Sequence, residues 1–183
     1  MATVGLKNLH VAKILPDGAY DTPRKLAPAI TSEVTPNFET TTLYGDDRAV
    51  EVEEALGSID VSIGVTDLST DDYAFLLGKT VNDDGVIEDS ADDEAPYVAV
   101  GWELPKSGGA KRMFWYYKGK FTTPSESAQT KEGTTTTFQT PTVTGTFMAR
   151  EDGKWRARVD SGREGVNPTV IAGWFDNVYA PTV

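Results

Sequence analysis

The chain has a single histidine, His10, and no cysteine, so the side chains that most often move protons or attack carbonyls near neutral pH are almost missing. His10 falls inside a segment that reads as a strand, and no G-x-S-x-G run is present to offer a serine nucleophile. The 28 acids guarantee many accidental carboxylate pairs. A pair that hydrolyses a glycosidic bond is defined by its separation in space, which linear spacing does not give. The acidic stretch from Asn82 to Glu94 invites a calcium reading, but with Gly85 at the sixth loop position Thr80 and Ala91 fall where an EF-hand needs acids. A solvated acidic loop is the plainer reading, and no metal or cofactor is expected. Gly108-Gly109 with Lys111 lacks the glycine spacing and the following helix of a phosphate loop, and reads as a hairpin turn.

Two further groups have side chains suited to binding. Phe114, Trp115, Tyr116 and Tyr117 can stack on sugars or bases, or be buried on both faces of a strand. Lys154, Arg156 and Arg158 form a basic row with the spacing of one strand face, the strongest candidate for a phosphate contact. They act within a chain of formal charge −11. Salt bridges to acids on a neighbouring copy are the favoured reading, and a wet strand face is the other.

The elements that must position these residues are mostly strands. From Ser58 to Val65, Ile59, Val61, Ile63 and Val65 alternate with Ser58, Asp60, Ser62 and Gly64, the period of two of a sheet with one buried and one wet face. The same period marks Val98 to Leu104, a strand in which Met113, Trp115, Tyr117 and Phe121 share a face, Val143 to Ala149, and Lys154 to Asp160. In the last of these Trp155, Ala157 and Val159 oppose the basic row. Glu151-Asp152-Gly153 predicts a hairpin pairing residues near 143–150 with those near 154–160. Strands are expected near Val4 to Leu15 and Lys25 to Val34, joined through Pro16-Asp17-Gly18. Thr40 to Leu56 reads as a long hairpin or an extended loop reaching away from the domain. The threonine run 134–137 reads as the start of a strand.

One helix is predicted over Thr70 to Leu77. Ser69 can cap it, Asp71 and Asp72 complement its positive end, and Gly78 suits a left-handed C-terminal cap.

The 183 residues fit one domain, able to bury roughly 70% of its unfolded surface without metal or disulfide. The absence of cysteine agrees with assembly in a reducing cytoplasm. No apolar run is long enough for a membrane helix and no leader pattern opens the chain, so it is read as soluble and unsecreted, with no membrane partner. The net acidity opposes any role in gripping DNA. Charge is unevenly placed: residues 1–94 carry 20 acids and 6 bases, residues 95–183 carry 8 acids and 11 bases. Either the acids are harmless loops or opposed surfaces steer copies head to tail.

Laid end to end, several segments resemble the major tail tube proteins of long-tailed (siphovirus) bacteriophages. They are Gly5-Leu6-Lys7-Asn8-Leu9-His10, Asp17-Gly18-Ala19-Tyr20 with Thr22-Pro23, and Leu43-Tyr44-Gly45-Asp46 before the Ile59 to Val65 strand. The Ser69 to Gly78 helix and the closing Gly173-Trp174-Phe175-Asp176-Asn177-Val178-Tyr179 complete the set. None is a catalytic signature. The resemblance implies a single tube domain over 1–183, a β-sandwich or partly rolled β-barrel with one flanking helix, similar to type VI secretion tube proteins. It includes an N-terminal arm, a long loop at about 40–56 and a C-terminal aromatic segment at about 166–183. Some relatives carry an extra immunoglobulin-like domain, and this chain ends too early to include one.

The resemblance further implies six copies to a ring, rings stacked into a tube, and one sheet of each copy lining the lumen. DNA would pass without specific binding, and the other partners would be tape measure, terminator and baseplate proteins. The protein would reside in the virion after assembly in the bacterial host cytoplasm. On this reading Leu43, Tyr44, Asp46, Asp47 and Arg48 are candidates for contact with the adjacent ring, and Ser58, Asp60 and Ser62 for the lumen face. Lys154, Arg156, Arg158, Trp174, Phe175 and Tyr179 are candidates for the subunit interface, although the three aromatics could equally close the chain's own core. The alternatives are another virion ring protein, such as a terminator or baseplate hub, and a carbohydrate-binding β-sandwich with Phe114 to Tyr117 as an exposed platform. An enzyme trails both.

Overall fold

The fold is described from a computed structural model that covers residues 2–126, 128–130 and 138–181; the threonine run at 134–137 lies outside the described residues. The alternation at Ser58 to Val65 belongs to β4 (Arg48–Val65), which pairs antiparallel with β3 (Ala29–Gly45). Ile59, Val61, Ile63 and Val65 are at most 1% exposed, while Asp60 faces water. On its other side β4 pairs with β7 (Thr142–Met148), whose Val143 and Phe147 are buried. The ladder continues through β6 (Lys111–Thr122), β5 (Val98–Pro105), β1 (Lys7–Lys13) and the two-residue β2 (Arg24–Lys25), every pair antiparallel.

The sheet does not close, but it curls far enough for Leu9 and Val11 of β1 to share one core with Ile59 to Val65 of β4. Each such side chain removed from water stabilises the fold by about 1.5–3 kcal/mol. Leu76 and Leu77 of α1 (Thr70–Leu77) cover the same core. The helix is set as its sequence requires: Ser69 Oγ accepts from the Asp72 amide at 3.2 Å, and Gly78 ends it at φ 68°, ψ 28°. Arg24 ties it to β2 through the Asp72 carboxylate at 2.5 Å.

A second core lies on the opposite face of β5 and β6. Ala99, Met113, Trp115 and Tyr117 meet Trp174 and the partly buried Phe175 and Val178 of the C-terminal segment. Trp115 Nε1 donates to the Trp174 carbonyl at 2.9 Å, and the Tyr117 hydroxyl donates to the Tyr179 carbonyl at 2.7 Å. Trp174 stacks on Tyr179 with centroids 5.3 Å apart, and His10 stacks on Phe175 at 4.6 Å. A short helix the sequence reading passed over, α2 (Pro168–Ala172), starts this segment. Asn167 caps it and Pro168 takes the first turn, an arrangement the Asn-Pro pair favours.

Four sequence expectations are corrected. The Glu151-Asp152-Gly153 turn does not join a hairpin: β7 and β8 (Arg156–Asp160) follow one another along the same edge of β6, at Lys118–Thr122 and Arg112–Tyr116. The Arg150 amide donates to the Lys154 carbonyl at 2.9 Å, pinching the turn into a side loop. Beyond it the chain resumes its direction because β6 still offers an unpaired edge. Phe121 does not share a face with Met113, Trp115 and Tyr117. Between Val98↔Gly119 and Val100↔Tyr116, β6 takes three steps to two in β5, a bulge that reverses the alternation and sends Phe121 into the first core. Trp155, just before β8, packs on Tyr116 and the first core rather than with Ala157 and Val159. The expected strand at Lys25 to Val34 is divided, since Lys25 pairs with His10 at one end of the sheet and Ala29 with Val65 at the other.

Gly119 lies against the Phe147 ring, where an added Cβ would sit 2.3 Å from the nearest ring atom. Phe147 is fully buried and has no room to give. Gly119→Ala is expected to destabilise the subunit by about 1–3 kcal/mol in denaturant unfolding. Gly5→Ala, whose Cβ would meet only Pro105 at 3.9 Å, should stay within about 0.5 kcal/mol of the parent.

Burial pushes the Tyr117 hydroxyl up to about 12 from its ordinary 10.0. A group raised in the folded state leaves stability intact below its unfolded pKa, and that stability is lost as pH climbs from about 10 to about 12. Tyr117→Phe is expected to cost about 1 kcal/mol at pH 7, for the hydrogen bond lost to Tyr179. It should also flatten part of the alkaline fall in stability, read by unfolding across that range.

Candidate assembly interface

Beyond Ile59↔Phe147, β4 leaves β7 and, among the described residues, continues only with β3, forming a two-stranded arm. Its tip is Asp46-Asp47, both in the left-handed region at φ 50° and 58°, the conformation of a two-residue hairpin turn that matches strand twist. Where the arm leaves the body the register runs from Pro36↔Ile59 to Phe38↔Leu56. Gly57 and Ser58 of β4 together oppose Asn37, and this one extra residue inverts the alternation seen in Ser58 to Val65. Leu43, Tyr44, Asp46, Asp47 and Arg48 gather at the tip and are all exposed.

The arm is amphipathic. Register places Glu39, Thr41, Leu43, Glu51 and Glu53 on one face, and Phe38, Thr40, Thr42, Val52, Glu54 and Leu56 on the other. Leu56 packs on the first core. Further out on that face Phe38 is 54% exposed, Val52 59% and Tyr44, which continues the β3 alternation, 71%. The apolar stripe therefore continues the core face past the point where the body can cover it. Between Phe38 and Leu56 stand six acids and one base, Arg48.

Ser58, Asp60 and Ser62 lie together on the wet face of the β3–β4–β7–β6 half of the sheet. With Glu33 and Thr35 of β3, Thr144 and Thr146 of β7 and Thr122 of β6, Asp60 and Ser62 line a shallow groove of about 350 Å³. Asn37 Nδ2 donates to Ser58 Oγ at 3.1 Å and to Asp60 at 2.9 Å, and Thr122 Oγ1 donates to the Thr144 carbonyl at 3.0 Å. Asn37 and Thr122 thus tie some of the polar groups of this face to one another. Its cations are drawn aside: Lys120 meets Glu94 at 2.6 Å, and Lys118 and Lys120 lie over the Tyr97 ring at 5.1 and 4.6 Å.

The basic row stands on the free edge of β8. Arg156 covers the Trp155 ring at 4.5 Å and Arg158 reaches the Phe114 ring at 6.0 Å. Among the described residues neither has an acidic partner within 4.0 Å, and Lys154 approaches Asp152 only at 3.9 Å. Of the aromatic candidates Trp174 is 3% exposed, Phe175 is half-buried and Tyr179 is 41% exposed. Trp174 accordingly closes the chain's own second core, and Tyr179 offers an edge to the outside.

The aromatic run is buried on both faces, Phe114 and Tyr116 in the first core and Trp115 and Tyr117 in the second. Trp115 is 0% exposed, which counts strongly against a sugar platform. His10 Nδ1 lies 2.8 Å from the Asn8 carbonyl, and burial lowers its pKa. In the acidic loop Asp89 and Asp93 hold Lys79 at 3.1 and 2.7 Å. Among the described residues no three His, Asp or Glu side chains gather as a metal site.

A family model described as phage tail tube protein matches residues 2–160. Among solved structures, a chain of the anti-feeding prophage baseplate, in its 6-fold symmetrised cryo-EM structure, is similar at 12% identity and a TM-score of 0.44. That likeness covers 89% of this chain and 100% of the other. Comparison with curated proteins finds no match. The family match takes in the whole sheet from β1 to β8 and the arm built from β3 and β4, and the chain belongs to the phage tail tube proteins, structural components of the virion.

Proposed function

We propose that the chain polymerises by repeated heterologous contacts into stacked rings of six copies, forming the hollow tail through which phage DNA passes. The amphipathic arm carries this reading. Phe38, Tyr44 and Val52 continue a core face into solvent, and a second copy in the adjacent ring is the natural cover. Burying each would contribute about 1.5–3 kcal/mol. The tip residues Leu43, Asp46, Asp47 and Arg48 would make the farthest contacts.

Lateral contacts follow from the open sheet. β3 spans 17 residues and, among the described residues, pairs with β4 alone. A long unpaired edge in a soluble chain invites pairing with another copy. Neighbours joined along such edges would make the hydroxyl-rich face continuous, with Ser58, Asp60 and Ser62 on the lumen wall. A wall of hydroxyls, two carboxylates and tethered lysines offers moving DNA few cations to bind. Lys154, Arg156, Arg158 and Tyr179 would serve subunit contacts, with Trp174 and Phe175 holding that segment in place. The subunit acts structurally, without catalytic residues or cofactor, beside tape measure, terminator and baseplate proteins, after assembly in the host cytoplasm.

A terminator or baseplate hub would form single rings, and only a tube subunit should give long hollow rods of constant width by electron microscopy. Replacing residues 41–53 by an Asn-Gly turn keeps Thr40 opposite Glu54 in a two-residue hairpin. The shortened subunit is expected to fold, with a cooperative unfolding transition like the parent's, and to form no rods. Rods of normal length from it would overturn the arm's role.

A further inference from the structure

We infer that the edge of β8 is the seat for the acidic loop of a second copy, so that Arg156 and Arg158 of one subunit meet residues 82–94 of the next. The inference rests on the polymer reading above and names a pair of surfaces that it leaves open. Among the described residues β8 pairs with β6 on one side only. Beside its free edge a cleft of about 420 Å³ is lined by Arg156, Arg158, Val159, Val170, Trp174 and Tyr179, among others. Its floor is apolar, the two guanidiniums lie on the other face of the strand over the Trp155 and Phe114 rings, and among the described residues no acid of the same chain neutralises either arginine.

The acidic loop has the complementary chemistry and a fixed shape. Asn82 Oδ1 accepts from the amides of Asp84 at 3.1 Å and Val86 at 2.8 Å, Gly85 turns the chain at φ 79°, and Val81 bridges to Ile87. The turn presents Val86, 51% exposed, between Asp83, Asp84 and Glu88. Lys79 engages Asp89 and Asp93, and Lys120 engages Glu94. Among the described residues Asp83, Asp84, Glu88 and Asp92 have no basic partner within 4.0 Å. Unpaired carboxylates on the loop thus match unpaired guanidiniums on β8, and complementary potentials of this kind steer association and fix register.

The ends of the sheet decide between this loop and the arm, which is also acidic. Val98, just past the loop, pairs with Gly119 near the C-terminal end of β6, and Glu94 reaches Lys120 there. β8 pairs with Arg112 to Tyr116, in the N-terminal half of β6. The arm, leaving the ladder at Ile59↔Phe147↔Gly119, runs toward that same half. Copies stacked in one orientation bring opposite ends together. Loop therefore meets β8, while arm and β8 belong to the same end.

The full chain is tested by charge exchange, following rod growth by light scattering and electron microscopy at low ionic strength. R156E/R158E and D83K/D84K/E88K are each expected to slow growth by about tenfold or more, and the combined variant to regain most of the lost rate, which also shows that both folds are intact. Growth of R156E/R158E at the parent rate would overturn the inference. So would failure of the combined variant to exceed its parents, or recovery of R156E/R158E by reversing Glu51 and Glu53 of the arm instead. Each of those results leaves the tube reading standing, whereas a parent chain that forms no rods in any condition removes both.

Discussion

Strand β6 is buried on both faces and paired on both edges, and the other elements are arranged by what it demands. Its Phe114, Tyr116 and Phe121 need one apolar layer and its Met113, Trp115 and Tyr117 another. The far strands of the curled sheet, β1, β7 and β4, together with α1 supply the first. The C-terminal segment supplies the second, and its grip is polar as well as apolar, since the indole and phenol of Trp115 and Tyr117 donate to backbone carbonyls of that segment. A buried donor left without its acceptor costs about 1–3 kcal/mol, so the segment is held by groups that have nowhere else to turn.

The same demand explains why β7 and β8 lie end to end. β6 has 12 residues, and β7 covers only its last five. The remaining edge would leave buried backbone groups unpaired; β8 satisfies them after the chain loops out through Arg150 to Lys154. Among the described residues that solution leaves the far edge of β8 unpaired, with Arg156 and Arg158 beside it over the Trp155 and Phe114 rings. An element recruited to complete one subunit's core is thereby the one whose charged surface we propose to meet another subunit.

The arm shows the opposite relation between core and surface. In the body, alternation in β4 separates a dry face from a wet one, and the bulge near Gly57 shifts that alternation without ending it. The apolar stripe runs on through Leu56, Val52 and Tyr44 after its own core has stopped. A chain selected only to fold alone would gain nothing from these side chains in water.

The sequence alone determined what is settled within a few residues. The caps of α1 at Ser69 and Gly78 and the wet and dry faces of Ser58 to Val65 follow from local geometry and composition. The end-to-end resemblance to tail tube proteins was likewise legible, and the family match bears it out. Tertiary structure alone decided where a strand finds its partner. Glu151-Asp152-Gly153 specifies a tight turn but not that β8 will pair with β6. Nothing near Phe121 announces the bulge that reverses its face. The neutralisation of Lys79 and Lys120 by the acidic loop is equally invisible in the linear order. Periodicity and capping act over one turn or one pleat, whereas pairing partners, bulges and ion pairs depend on residues tens of positions away whose proximity exists only once the sheet has curled.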